Sequence, residues 1–127
     1  MKTIEILEKM EKEPGYFNHN NYHILKATEE NIELRADLTE NSMNPYNIAH
    51  GGLIFGLGDT AMGMVVKEKA VTLTANISYI KPGTGKYITA KAEQVKKGNN
   101  ICFTKATIYN DKEEIIATMN SSYYLIG

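Results

Sequence analysis

The residues best suited to chemistry lie in one short run, "NIAHGGLIFGLGDTAMGMVV", residues 47–66. His50, Gly51 and Gly52 stand where an apolar helix would begin, and Asp59 is the one carboxylate inside it. The first turn of a helix holds four N–H groups without intrahelical acceptors, at the positive end of the dipole. With two glycines there, no side chain keeps a substrate oxygen away from those donors, which is the chemistry of an oxyanion hole. An ionised carboxylate buried without a partner costs several kcal/mol, so Asp59 needs either a partner or a use. The structural readings are a helix-capping His50 and an Asp59 satisfied by hydroxyls such as that of Thr60. The catalytic reading makes Asp59 a nucleophile or a general base.

Helix geometry separates the two groups. At 1.5 Å and about 100° per residue, Asp59 lies roughly 13 Å along the axis from His50 and on the opposite face. One small acyl carbonyl cannot touch both within a chain. If they cooperate, Gly51 of one chain faces Asp59 of another, and a two-fold axis then generates two equal sites.

The elements that must position these residues follow from periodicity. Residues 1–15 read as an amphipathic helix and turn, with Ile4, Leu7 and Met10 at helical spacing before Pro14-Gly15. "YHILKA" and "IELRADLT" read as two strands joined by "TEEN", and "ENSMNPYN" as a loop. Residues 51–67 form the central helix despite Gly51, Gly52, Gly56, Gly58 and Gly63, each costing about 1 kcal/mol against alanine. Burial must therefore hold it. From Val71 the period becomes two, with Val71, Leu73, Ala75, Ile77 and Tyr79 on one face. The short turns "PGTG", "KGNN" and "NDKE" predict a four-strand antiparallel meander. The expected architecture is α+β, one antiparallel sheet burying its apolar face on one long central helix.

Composition narrows the function classes. The 127 residues suit one domain, 1–127, and 43% hydrophobic with 23% charged residues is ordinary for a globular protein. Fourteen basic against fifteen acidic residues give a net charge of −1, with no basic arm, so nucleic acid is not the expected partner. No apolar run reaches the roughly 20 residues that cross a bilayer, no signal peptide is visible, and the lone Cys102 reads as a small core residue in a reducing setting. No membrane partner and a cytoplasmic location are the expectations. His19, His23 and His50 lack carboxylates at ligand spacing, so no metal site is expected, and no Gly-x-Ser-x-Gly elbow is present.

The stretches "NPYNIAHGGLIFGLGDTAMG" and "TLTANISYIKPG", with the strand order after them, resemble the hotdog-fold acyl-CoA thioesterases of the PaaI-like, phenylacetate-degradation type. The resemblance covers roughly residue 20 to the end. It implies a hotdog fold and hydrolysis of an acyl-CoA thioester in a homodimer or dimer of dimers, with no cofactor beyond the coenzyme A of the substrate. In that pattern the Gly51 N–H polarises the carbonyl and Asp59 is the nucleophile or the base that aims a water. Asn44 and His50 match the carbonyl side, Asn47 being the alternative to Asn44, and Thr72 matches a hydroxyl that holds the water. Gly52, Phe55, Met62, Asn76 and Tyr79 are the implied substrate-binding positions. Phe55, Met62, Met64 and Tyr79 suit an aromatic or a medium aliphatic acyl group. Lys96 and Lys97, like Lys81 and Lys86, stand at strand ends where CoA phosphates can rest. Two other readings stay open: a non-catalytic module of the same fold that binds acyl-CoA or an acyl carrier, and an enoyl-thioester hydratase, which would want its His and Asp on one helix face.

Overall fold

The computed structural model describes residues 3–127, with side chains from residue 8 onward, so Ile4 and Leu7 lie outside the described side chains. Helix α1 spans Thr3–Lys12 and a short helix α2, not foreseen from the sequence, spans Tyr16–His19. Strands β1 (Tyr22–Ala27) and β2 (Asn31–Asp37) form the expected hairpin, and a single 3₁₀ turn at Glu40–Ser42 interrupts the loop that follows. Then come helix α3 (Gly51–Val65) and strands β3 (Ala70–Tyr79), β4 (Tyr87–Lys97), β5 (Ile101–Asn110) and β6 (Ile115–Leu125).

The six strands make one antiparallel sheet in the order β1-β2-β4-β5-β6-β3, curled around α3 as in a hotdog fold. Alternation drives this packing. Ile32, Leu34 and Ala36 on β2, Ile88 and Ala90 on β4, and Cys102, Ala106 and Ile108 on β5 all face inward and are buried, as are Leu57, Ala61, Met62 and Val65 of α3. The helix is glycine-rich because the sheet comes so close: a Cβ at Gly58 would overlap the Met119 sulfur and stand 3.0 Å from Ile108 Cδ1. Its last carbonyls are satisfied from β4, with Gln94 Nε2 donating to Val65 O at 2.8 Å and Lys97 Nζ to Val66 O at 3.0 Å. Among the described residues no helix is long and apolar enough to cross a membrane.

One expectation is overturned. The four late strands are not a simple meander, because β3 pairs with β6 at the sheet edge and not with β4. The "PGTG" segment is a crossing and not a hairpin turn. It passes beneath the start of α3, where Ala49 N–H donates to Gly83 O at 2.8 Å and Gly83 is packed on Ala49, Ile54 and Ile116. The face assigned to β3 changes with it: Val71 is 49% and Leu73 52% exposed. The register slips between Thr72 and Thr74, a bulge that breaks the strict alternation of faces along β3.

Candidate active site

The residues singled out above fall into two groups, one at the start of α3 and one at its middle. At the start, the chain enters the helix through a Met43–Ala49 bridge, and Ser42 O accepts the His50 N–H at 2.8 Å. His50 is the N-cap: its Nδ1 accepts the Gly52 N–H at 2.9 Å, while its carbonyl accepts from Leu53 and Ile54 at 3.0 and 3.2 Å. The Gly51 N–H is therefore the first-turn donor left without a protein acceptor among the described residues. It borders a cavity of about 470 Å³ whose lining includes Asn44, Gly51, Gly52, Tyr79 and Gly83.

Two side chains shape that cavity. Tyr79 hangs across the helix start from β3 and donates its hydroxyl to Gly51 O at 2.7 Å. Burial pushes the Tyr79 hydroxyl above its ordinary pKa, which keeps it a donor. Any side chain at position 51 would press on it, since a Cβ there lies 3.2 Å from the Tyr79 oxygen. Asn44 closes its own loop, its Oδ1 accepting from Tyr46 N at 2.9 Å and Ile48 N at 3.3 Å, so its amide nitrogen remains for other partners. Asn47 occupies the left-handed position of the same loop, with φ 62°, and is exposed outside the cavity lining.

Eight residues further along α3, roughly 12 Å by helix rise, is the second group. Asp59 is half-buried. The hydroxyl of Tyr123, on β6, lies 3.3 Å from both Asp59 Oδ1 and Asp59 O. Thr72 is the direct cross-strand partner of Tyr123 in the β3–β6 register. Burial pushes the Tyr123 hydroxyl up to about 12, opposed by hydrogen bonding from Ser121 and Thr72 and reinforced by the Asp59 charge. The same charge reaches Tyr22 on β1, whose hydroxyl is raised mainly by burial and donates to Leu53 O at 3.1 Å.

The other expected residues take separate places. Met62 is fully buried, its sulfur accepting the Ser121 hydroxyl at 3.4 Å, and Phe55 packs half-buried against the core. Asn76 donates its side-chain amide to Asn120 Oδ1 across β3 and β6 at 3.2 Å. Lys97 caps the far end of α3 and pairs with Glu68 at 2.7 Å, and Lys96 borders a shallow groove shared with Glu30 and Glu93. Tyr123 was not anticipated. Its one signal in the sequence was a tyrosine at an inward position of an alternating strand, where a hydroxyl needs a partner.

Comparison with known proteins gives this geometry a context. The thioesterase superfamily model matches residues 46–117. The chain is 26% identical over 127 residues to a putative esterase of Thermoplasma acidophilum, covering 95% of this chain and 96% of that one. It is 27% identical over 94 residues to the acyl-coenzyme A thioesterase PaaI of Escherichia coli, covering 71% and 67%. A hypothetical thioesterase protein of Streptococcus pneumoniae, solved with coenzyme A, superimposes with a TM-score of 0.80 at 30% identity, over 84% of this chain and 87% of that one.

Proposed function

The chain belongs to the thioesterase superfamily and is a thioester hydrolase, and from that premise we propose that it cleaves an acyl-CoA at sites assembled across a two-fold dimer. In each site the Gly51 N–H of one protomer polarises the thioester carbonyl. Asp59 of the other attacks that carbonyl, or takes a proton from a water that does, with the Thr72 hydroxyl holding the water. The CoA thiolate leaves, and because a thiolate is a good leaving group no strong general acid is needed. The amide nitrogen of Asn44 is a second donor for the carbonyl oxygen, and no cofactor beyond the CoA of the substrate is required. The observation that carries this reading is the Gly51 N–H, open to a cavity while its neighbouring first-turn donors are occupied.

The dimer rests on two further features. Gly51 and Asp59 are too far apart for one carbonyl within a chain, and the β3 edge beside Thr72 is apolar and uncovered. An unpaired apolar edge is a template for another strand, here that of a second copy.

The test is release of free thiol from phenylacetyl-, benzoyl-, short, medium and long acyl-CoA by the wild type and Asp59→Asn. Loss of a base or nucleophile predicts a fall in kcat of about 10² or more with the assembly intact. Equal turnover in both proteins removes Asp59 from the chemistry. Tight acyl-CoA binding without thiol release, which the existing Tyr123 partner of Asp59 would accommodate, establishes a binding module instead.

A further inference from the structure

We propose that Tyr123 is a positioning residue for Asp59, holding one carboxylate oxygen so that the other faces the reacting atoms; this rests on the reading of Asp59 as base or nucleophile. The hydroxyl lies 3.3 Å from Asp59 Oδ1 and 3.3 Å from the Asp59 carbonyl, so its one proton is shared between them and links the side chain to its own helical turn. Oδ2 has no protein hydrogen-bond partner among the described residues. A carboxylate with one oxygen tied and one open is confined to a narrow set of rotamers, and reaction at an oriented oxygen avoids the entropy of finding that orientation.

The phenol is itself held. Tyr123 is only 4% exposed, and Thr72 is its direct cross-strand neighbour. Thr72, whose hydroxyl is assigned to the attacking water, stands opposite Tyr123 in the β3–β6 register, so both lie on the Asp59 side of the sheet edge. No Lys, Arg or His forms an ion pair with Asp59 among the described residues, so the two tyrosines, Tyr123 and Tyr22, are the titratable groups facing it.

Tyr123→Phe removes one oxygen and keeps the ring. The expected result is a three- to thirtyfold fall in kcat with KM within twofold, and no further fall when the change is made on top of Asp59→Asn. A fall of the same factor in both backgrounds, or a change carried by KM alone, makes Tyr123 a packing residue and overturns the proposal, as does an unchanged kcat. Turnover that survives Asp59→Asn overturns the underlying assignment of Asp59, a result distinguishable because it appears without touching Tyr123. Melting temperature and sedimentation of each variant are measured beside the kinetics. If Tyr123→Phe does not fold, site-specific 3-fluorotyrosine at position 123 replaces it, keeping the ring and the hydroxyl and changing only the phenol's strength as a donor: a change in kcat that Asp59→Asn abolishes is expected, and an unchanged kcat overturns the proposal.

Discussion

The two edges of the sheet are treated in opposite ways. At β1 the edge is covered within the chain: α1 and α2 lie along it, Glu11 accepts the Ile24 N–H at 2.6 Å, and a bulge between Ile24 and Lys26 bends the strand. At β3 nothing among the described residues plays that role, and Val71, Leu73 and Tyr79, with Ile80 just beyond the strand, are all about half exposed or more. The chain protects one edge with a helix, a carboxylate and a bulge, and the proposed dimer takes the other, apolar edge as its pairing surface. In the proposed site β3 supplies Thr72 to one half and Tyr79 to the other, so that on this reading assembly and catalysis are coupled.

The contrast breaks most visibly with a charge on each edge. Leu73→Glu, at a position 52% exposed, puts like charges against each other across a two-fold pairing of β3. On the proposed assembly the wild type should sediment as a dimer and this variant as a monomer, with a loss of about 10² or more in thioesterase rate as Gly51 and Asp59 part. Leu25→Glu on β1, equally exposed at 50%, should leave sedimentation unchanged and activity within twofold. Dissociation by the β1 change, or a dimer that tolerates the β3 change, reverses the roles of the edges.

A smaller effect sharpens the protected side. Glu11→Ala leaves the Ile24 N–H without its charged acceptor, worth about 1–2 kcal/mol, so the melting temperature should drop by several degrees while kcat holds. The smallest signal comes from between the edges. Cys102 on β5 is buried, and burial pushes its thiol above the ordinary range, so alkylation of the native protein at pH 8 should be far slower than after denaturation. Rapid labelling of the folded protein would show that the sheet interior opens as easily as its margin.

Local pattern carried most of the fold and one half of the site. "YHILKA" and "ICFTKATIYN" coincide with β1 and β5 end to end, because turns and alternation mark them from within. His50-Gly51-Gly52 was legible for the same reason, since a helix start is a local event. The β3 pairing was not, because Gly83 reads as a turn residue until Ala49 and Ile54 lie against it. Tyr123 stayed hidden on similar grounds: its partner Asp59 lies 64 positions earlier, and only the β3–β6 register and the lie of α3 bring them together.

The crossing that carries β3 to β6 also sets an order in time. Ala70 pairs with Leu125 and Thr72 with Tyr123, so β3 has its neighbour only after synthesis has run some fifty residues past it, through Leu125. Contacts this distant in sequence form slowly, after local hairpins such as β4–β5 have closed. On the ribosome, then, an apolar β3 waits through the synthesis of three further strands, and the surroundings of Asp59 are completed by the last of them. The nascent chain is consequently most exposed to mispairing at β3, and a chaperone that shields residues 70–79 would act at that step.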